Sequence, residues 1–161
     1  MNYESAPEVE EIAKSVIAEH FEEIENLQEQ GSLKIAYLWR PWHQNMGEGR
    51  VVAGCCVHVD DRNHALHGFD FMIVIARDLW DGATAVNPEY QKALVHHELK
   101  HVGIRYDKDG AIKVDDTSGR IIGFCRHHDI EEFEEVLSVY GAWHGELRKF
   151  LIAWNRDGSE D

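Results

Sequence analysis

Leu94-Val95-His96-His97-Glu98-Leu99-Lys100-His101-Val102 is the stretch whose reading decides the rest. His97, Glu98 and His101 stand in the spacing H-E-x-x-H. On a helix, positions four apart lie one turn apart on one face, so both imidazoles can reach a single metal ion. Glu98 is then placed to hold or deprotonate a water beside that ion. Upstream, Asn87 and Pro88 read as N-cap and first helical residue. Ala93, Leu94, His97 and His101 fall at helical spacing, which predicts a stripe with the histidines turned inward. The plain alternative is a helix with hydrogen-bonded core histidines.

The chain has 161 residues, which suits one domain spanning 1–161 with a core of its own. Its net charge is -14, from 30 acidic and 16 basic residues. Such a surface argues against a non-specific grip on nucleic acid or an anionic membrane. The three cysteines, Cys55, Cys56 and Cys125, lack zinc-knuckle spacing, and an odd number does not suit a disulfide scaffold. No signal-peptide core opens the chain, and the longest apolar run, around Phe71 to Ala76, is too short to span a bilayer. These features predict a cytoplasmic protein of a reducing compartment.

Outward from the motif, the pattern predicts an α+β fold. Residues 1–6 read as a loose lead. A helix capped by Ser5 is expected to run to about Glu29, with Ile12, Val16, Ile17, Phe21, Ile24 and Leu27 on its apolar face. Strands are expected at Leu33 to Trp39, Arg50 to Val59 and Phe69 to Arg77, the last apolar enough to be buried on both faces. Arg40 to Arg50 reads as a loop and Asp60 to His67 as a turn. Gly54 marks a bulge or a close backbone approach. Past the motif, Gly103 is expected to stop the helix. Asp109-Gly110 signals a hairpin between Ile104–Asp107 and Ala111–Val114, and Ile121 to Arg126 a short strand. Asp129 with Glu132 forms a capping box for a helix ended by Gly141. Trp143 to Trp154 makes a last amphipathic helix, with Leu147, Phe150, Leu151 and Trp154 on its apolar face. The tail, 156–161, reads as frayed.

Catalytic zinc commonly takes three protein ligands and leaves one position open. The favoured third ligand is His128, at the entry of the helix begun by Asp129. Glu132 is the alternative, and its plain reading is the capping box. Asp129 could instead accept a hydrogen bond from a ligand histidine. His127, Tyr106 and Tyr140 are candidates for binding substrate or stabilising an oxyanion, and each could be structural. His96 points about 100° away from His97 and should not share the ion. His58, His64 and His67 form a separate group; exposed polar side chains are the expected reading, a structural metal the sharper one. Trp39, Trp42 and Trp143 read first as core or rim packing.

The stretches Gly68-Phe69-Asp70-Phe71 with its strand, Trp80, Ala93 to His101, His128 to Phe133, and Tyr140-Gly141 resemble the phage metallopeptidase family and, more distantly, the SprT-like zincins. The resemblance covers about Gly68 to Gly141. It implies a minimal zincin-like fold: a small three- to four-stranded sheet packed against an N-terminal helix and the H-E-x-x-H helix, with C-terminal helices. It also implies a zinc-dependent peptidase with a third ligand from a later helix, where His128 sits. Its substrate would be a protein or peptide, and an extended substrate could add to the edge of Phe69 to Arg77 or a neighbouring strand. The location implied is the cytoplasm of a bacterium or of a phage-infected host. A second reading is a catalytically silent module of phage or mobile-element origin that binds a host protein. A nucleic-acid enzyme would need a basic channel that the sequence does not display.

Overall fold

The computed structural model describes residues 2–47, 50–82, 84–130, 134–143 and 145–155. They form a mixed α+β structure of eight strands and seven helices. The chain groups into two compact units, Met1–Arg126 and His127–Asp161. No helix among the described residues is long and apolar enough to cross a membrane.

The first unit opens with β1 (Glu4–Ser5) and α1 (Pro7–His20), then α2 (Glu22–Glu29) and β2 (Ile35–Arg40). Two expectations change here. Ser5 does not cap a helix; it pairs with Leu38 of β2, and Ala6 takes the cap position without a side-chain bond. The expected single helix breaks at Phe21, whose φ of -133° is outside the helical region. The break is silent in the apolar period, because Ile17 and Ile24 are seven residues, about two turns, apart. Val9, Ala13, Val16, Ile17, Ile24 and Leu27 all enter one core.

Arg40 to Val59 also resolves differently from a loop followed by one strand. β3 (Gln44–Gly47) and β4 (Arg50–Val52) form an antiparallel hairpin of their own, and β5 (Gly54–His58) joins the main sheet after Ala53. The turn at 60–67 is a helix, α3 (Asp61–His67). The Asp60 carboxylate caps it by accepting the N–H groups of Arg62 and Asn63 at 3.0 Å, and Gly68 ends it at φ +74°. Next come β6 (Phe71–Ala76) and α4 (Arg77–Asp81).

The main sheet has the order β1-β2-β6-β5. β2 and β6 run parallel, with Ile35 opposite Phe71 and Arg40 opposite Ala76. β5 runs antiparallel to β6, with Gly54 opposite Ile75 and His58 opposite Phe71. Alternate residues Ile35, Tyr37, Trp39, Phe71, Ile73 and Ile75 are buried together with the helix stripes. β6, buried nearly throughout, is the central strand its apolar run predicts. Bonded on both sides, it has no free edge to receive a peptide. The edges are β1 and β5.

The motif lies on α5 (Pro88–Lys100). The Asn87 side chain accepts the Glu89 N–H at 3.0 Å and Pro88 opens the helix, as the sequence predicts. Gly103 does not stop it. The helix ends at Lys100, and Gly103 lies inside β7 (Val102–Ile104), paired with β8 (Gly123–Cys125), where a Cβ would meet the Phe124 ring at 2.7 Å. Between β7 and β8 the chain forms an irregular meander. Tyr106 bridges Ile112 around the Asp107–Gly110 turn, and Val114 bridges Ile121. Arg120 locks the meander to the sheet. Its Nε donates to Asp70 at 3.0 Å, Nη1 to Asp61 at 3.0 Å and Nη2 to the Val59 carbonyl at 2.6 Å.

The second unit holds α6 (Glu134–Tyr140), closed by Gly141 at φ +63°, and α7 (Gly145–Asn155). Leu147 is buried, but Phe150, Leu151 and Trp154 stay largely exposed, so the expected apolar face is mostly uncovered. The capping box of Asp129 with Glu132 lies outside the described residues.

Candidate metal centre

Of α5, Val95, Glu98 and Leu99 face the core, while Ala93 and His97 are exposed and Leu94 and His101 are half-buried. The expected inward stripe is therefore rotated. Spacing of i, i+3 and i+4 puts 95, 98 and 99 on the core side, and this turns the histidine edge toward a solvent-accessible surface. The His97 and His101 rings sit 5.1 Å apart at 76°, with their Nε2 atoms 3.4 Å from each other. His101 Nδ1 donates to the Arg126 carbonyl at 2.5 Å, and the Arg126 N–H returns a bond to the His101 carbonyl at 2.7 Å. That pair of bonds fixes the ring's direction and leaves Nε2 as the ligand atom. For His101, the orienting acceptor is thus a backbone carbonyl rather than Asp129.

His128 follows Arg126 by two residues. One ligand atom from each of His97, His101 and His128 lies within 4.8 Å of the others. Three imidazole nitrogens at such separations suit one zinc-sized ion in both ligand type and number. Among the described residues, this is the only group of three or more His, Cys, Asp and Glu side chains that could hold a metal. His58, His64 and His67 do not form another. His58 packs edge-on against Phe71 at 5.2 Å and His64 meets Asp70 at 3.3 Å, while His67 is exposed. His96 turns away, as expected, to stack with His20 and Phe21.

Glu98 is 4 % exposed. Burial pushes its carboxyl up to about 7, against the pull of the Arg40 guanidinium. It lies against β5 where that strand begins. A Cβ on Gly54 would sit 2.6 Å from Glu98 Oε1, so the close approach that this glycine signals is made by the motif carboxylate. Cys55 and Cys56 also lie in this neighbourhood, and burial pushes both thiols up. The Cys125 thiol donates to the Cys56 carbonyl at 3.4 Å, and all three cysteines are free.

Sequence reasoning missed Arg40, which it placed at the start of a loop. The side chain is 1 % exposed, and its Nη2 donates to the Val52 carbonyl. A terminal strand arginine carries no signal that distinguishes a buried guanidinium from a solvated one. Tyr106 lies half-exposed on the meander, while His127 and Tyr140 are exposed residues of the second unit. Glu132 is outside the described residues.

A helix presenting two imidazoles on one edge, with a buried carboxylate turned toward the core, defines a candidate metal centre. The chain belongs to the family described as "Putative phage metallopeptidase", whose model matches residues 1–155. No curated protein and no solved structure matches it.

Proposed function

We propose that this chain is a zinc-dependent peptidase of zincin-like, SprT-related design, acting on protein or peptide substrates in the cytoplasm. One observation carries the reading: H-E-x-x-H on a capped helix, the Nε2 atoms of its two histidines 3.4 Å apart and its glutamate buried on the core side, in a chain of a metallopeptidase family. His97, His101 and His128 would hold the ion, with Glu132 as the alternative third ligand. Bound there, Zn2+ would supply Lewis acidity to the scissile carbonyl and acidify a water molecule. Glu98 would take the proton of the attacking water and later hand it to the leaving amine. Gly54 sets how closely that carboxylate packs against the sheet. Tyr106, His127 and Tyr140 are candidates for stabilising the oxyanion.

The experiment is Glu98→Gln, compared with the wild type by elemental analysis and by turnover of a fluorogenic peptide library. The variant is expected to retain zinc at one ion per chain and to lose about 10²- to 10⁴-fold in kcat. Equal turnover in the two proteins would remove Glu98 as the base. A chain that melts on zinc removal yet cuts nothing would leave the metal a structural role.

A further inference from the structure

A histidine–carboxylate pair sits at the same end of the sheet as Gly54 and Glu98. His43 follows β2 and Asp78 lies on α4, just past β6. Both oxygens of Asp78 are used: the His43 backbone N–H reaches Oδ1 at 2.9 Å and its ring Nδ1 reaches Oδ2 at 2.6 Å. Burial works to raise the Asp78 carboxyl, but the His43 donors outweigh it and hold the group below its usual range. With Nδ1–H committed to the carboxylate, the ring is held in place and Nε2 is the ring nitrogen left for another partner.

Register places this pair relative to Glu98. Gly54, against the Glu98 carboxylate, pairs with Ile75 across one strand spacing of about 5 Å. Asp78 lies three residues beyond Ile75, at most about 11 Å further along the chain. An extended peptide of four or five residues covers roughly that span. The hairpin of β3 and β4 rises from the same place and is pinned at both feet, by His43 to Asp78 and by the Arg40 side chain to Val52. Just before it, next to His43, Trp42 is 70 % exposed. An exposed indole next to a positioned imidazole can cover an apolar side chain while the ring takes up a main-chain group. A charge of -14 disfavours acidic partners.

We infer that His43, held by Asp78, and Trp42 form a substrate-recognition subsite: Trp42 packs a bulky apolar side chain of an extended, non-acidic polypeptide, and His43 Nε2 accepts a main-chain N–H beside it. The subsite rests on the peptidase reading for its purpose but can be tested without turnover. The full chain carrying Glu98→Gln is titrated into two labelled peptide pools of equal charge, one rich in Phe and Leu, the other in Ser and Gly, and read by anisotropy. The apolar pool is expected to bind more tightly. Its Kd should rise about tenfold with His43→Ala or Trp42→Ala, and less with Asp78→Asn, which keeps the ring but weakens its hold. Trp42 is exposed, so its replacement tests the contact without disturbing the fold. Equal binding of both pools, binding of neither, or an unchanged Kd in both Trp42→Ala and His43→Ala overturns the subsite. Failure of the parent reading is seen separately, as a zinc-loaded wild type that binds the apolar pool and leaves it uncut.

Discussion

At Gly54 the absence of a side chain has a chemical consequence. A methyl group there would lie 2.6 Å from Glu98 Oε1 and 2.9 Å from Ile75 Cδ1. Both neighbours are packed, since Glu98 is buried and Ile75 has no exposed surface. Overpacking at such a site typically costs about 1–3 kcal/mol. Relief is easiest by swinging the Glu98 carboxylate off the strand and out of its packed position. Gly54→Ala is therefore expected to fold with a lowered melting temperature, to retain zinc, and to lose most of its kcat. Circular dichroism, metal analysis and peptide turnover check the three parts. A Gly54→Ala protein with wild-type kcat would show that the carboxylate position does not matter. The glycine was legible in the sequence as a close approach. Its partner was not, because a strand pattern says nothing about which helix residue crosses it.

Among the elements, α5 was the most legible, since Asn87, Pro88 and the motif are local signals that need no tertiary knowledge. Its inward face was misjudged because alanine and histidine at helical spacing look apolar enough to be core. Only packing against α1 and the sheet shows that 95, 98 and 99 win. The β3–β4 hairpin and α3 were hidden for another reason: short polar segments carry no periodicity, and stretches such as Asn45-Met46-Gly47 and Asp60-Asp61 also suit plain loops. Arg120 exemplifies long-range structure that no local pattern announces. It sits in a turn-rich stretch, yet its guanidinium is buried and reaches Asp70, Asp61 and the Val59 carbonyl. Removing one partner of such a pair leaves a buried carboxylate uncompensated, at a cost of about 3–5 kcal/mol. Arg120→Ala is expected to lose that much in denaturant unfolding, with an unchanged H-E-x-x-H helix in the remaining folded fraction. A loss below about 1 kcal/mol would mean that Asp70 is satisfied by the Lys34 N–H and His64 alone.

For the molecule as a whole, the pattern of apolar runs gave the α+β class and the central strand, while the histidines of the candidate metal centre lie far apart in sequence. His97 and His101 belong to the first compact unit, and His128 follows it by two residues. A ligand set of that kind is assembled only in the folded state, so an ion that binds it stabilises folding by linkage. At free zinc a thousand times Kd the gain is about 4 kcal/mol. A chain of this size shifts its melting temperature by roughly 2–4 °C per kcal/mol. Dialysis against a chelator is therefore expected to lower the melting temperature by about 8–16 °C, and zinc to restore it. His97→Ala should abolish the dependence on zinc and melt near the stripped wild type. His128→Ala should weaken it by an amount that reports the third ligand, and an undiminished response there would transfer that role to Glu132. Calorimetry at fixed protein concentration, with and without chelator, decides the matter. Identical melting curves for the stripped and zinc-loaded wild type would overturn the metal centre itself.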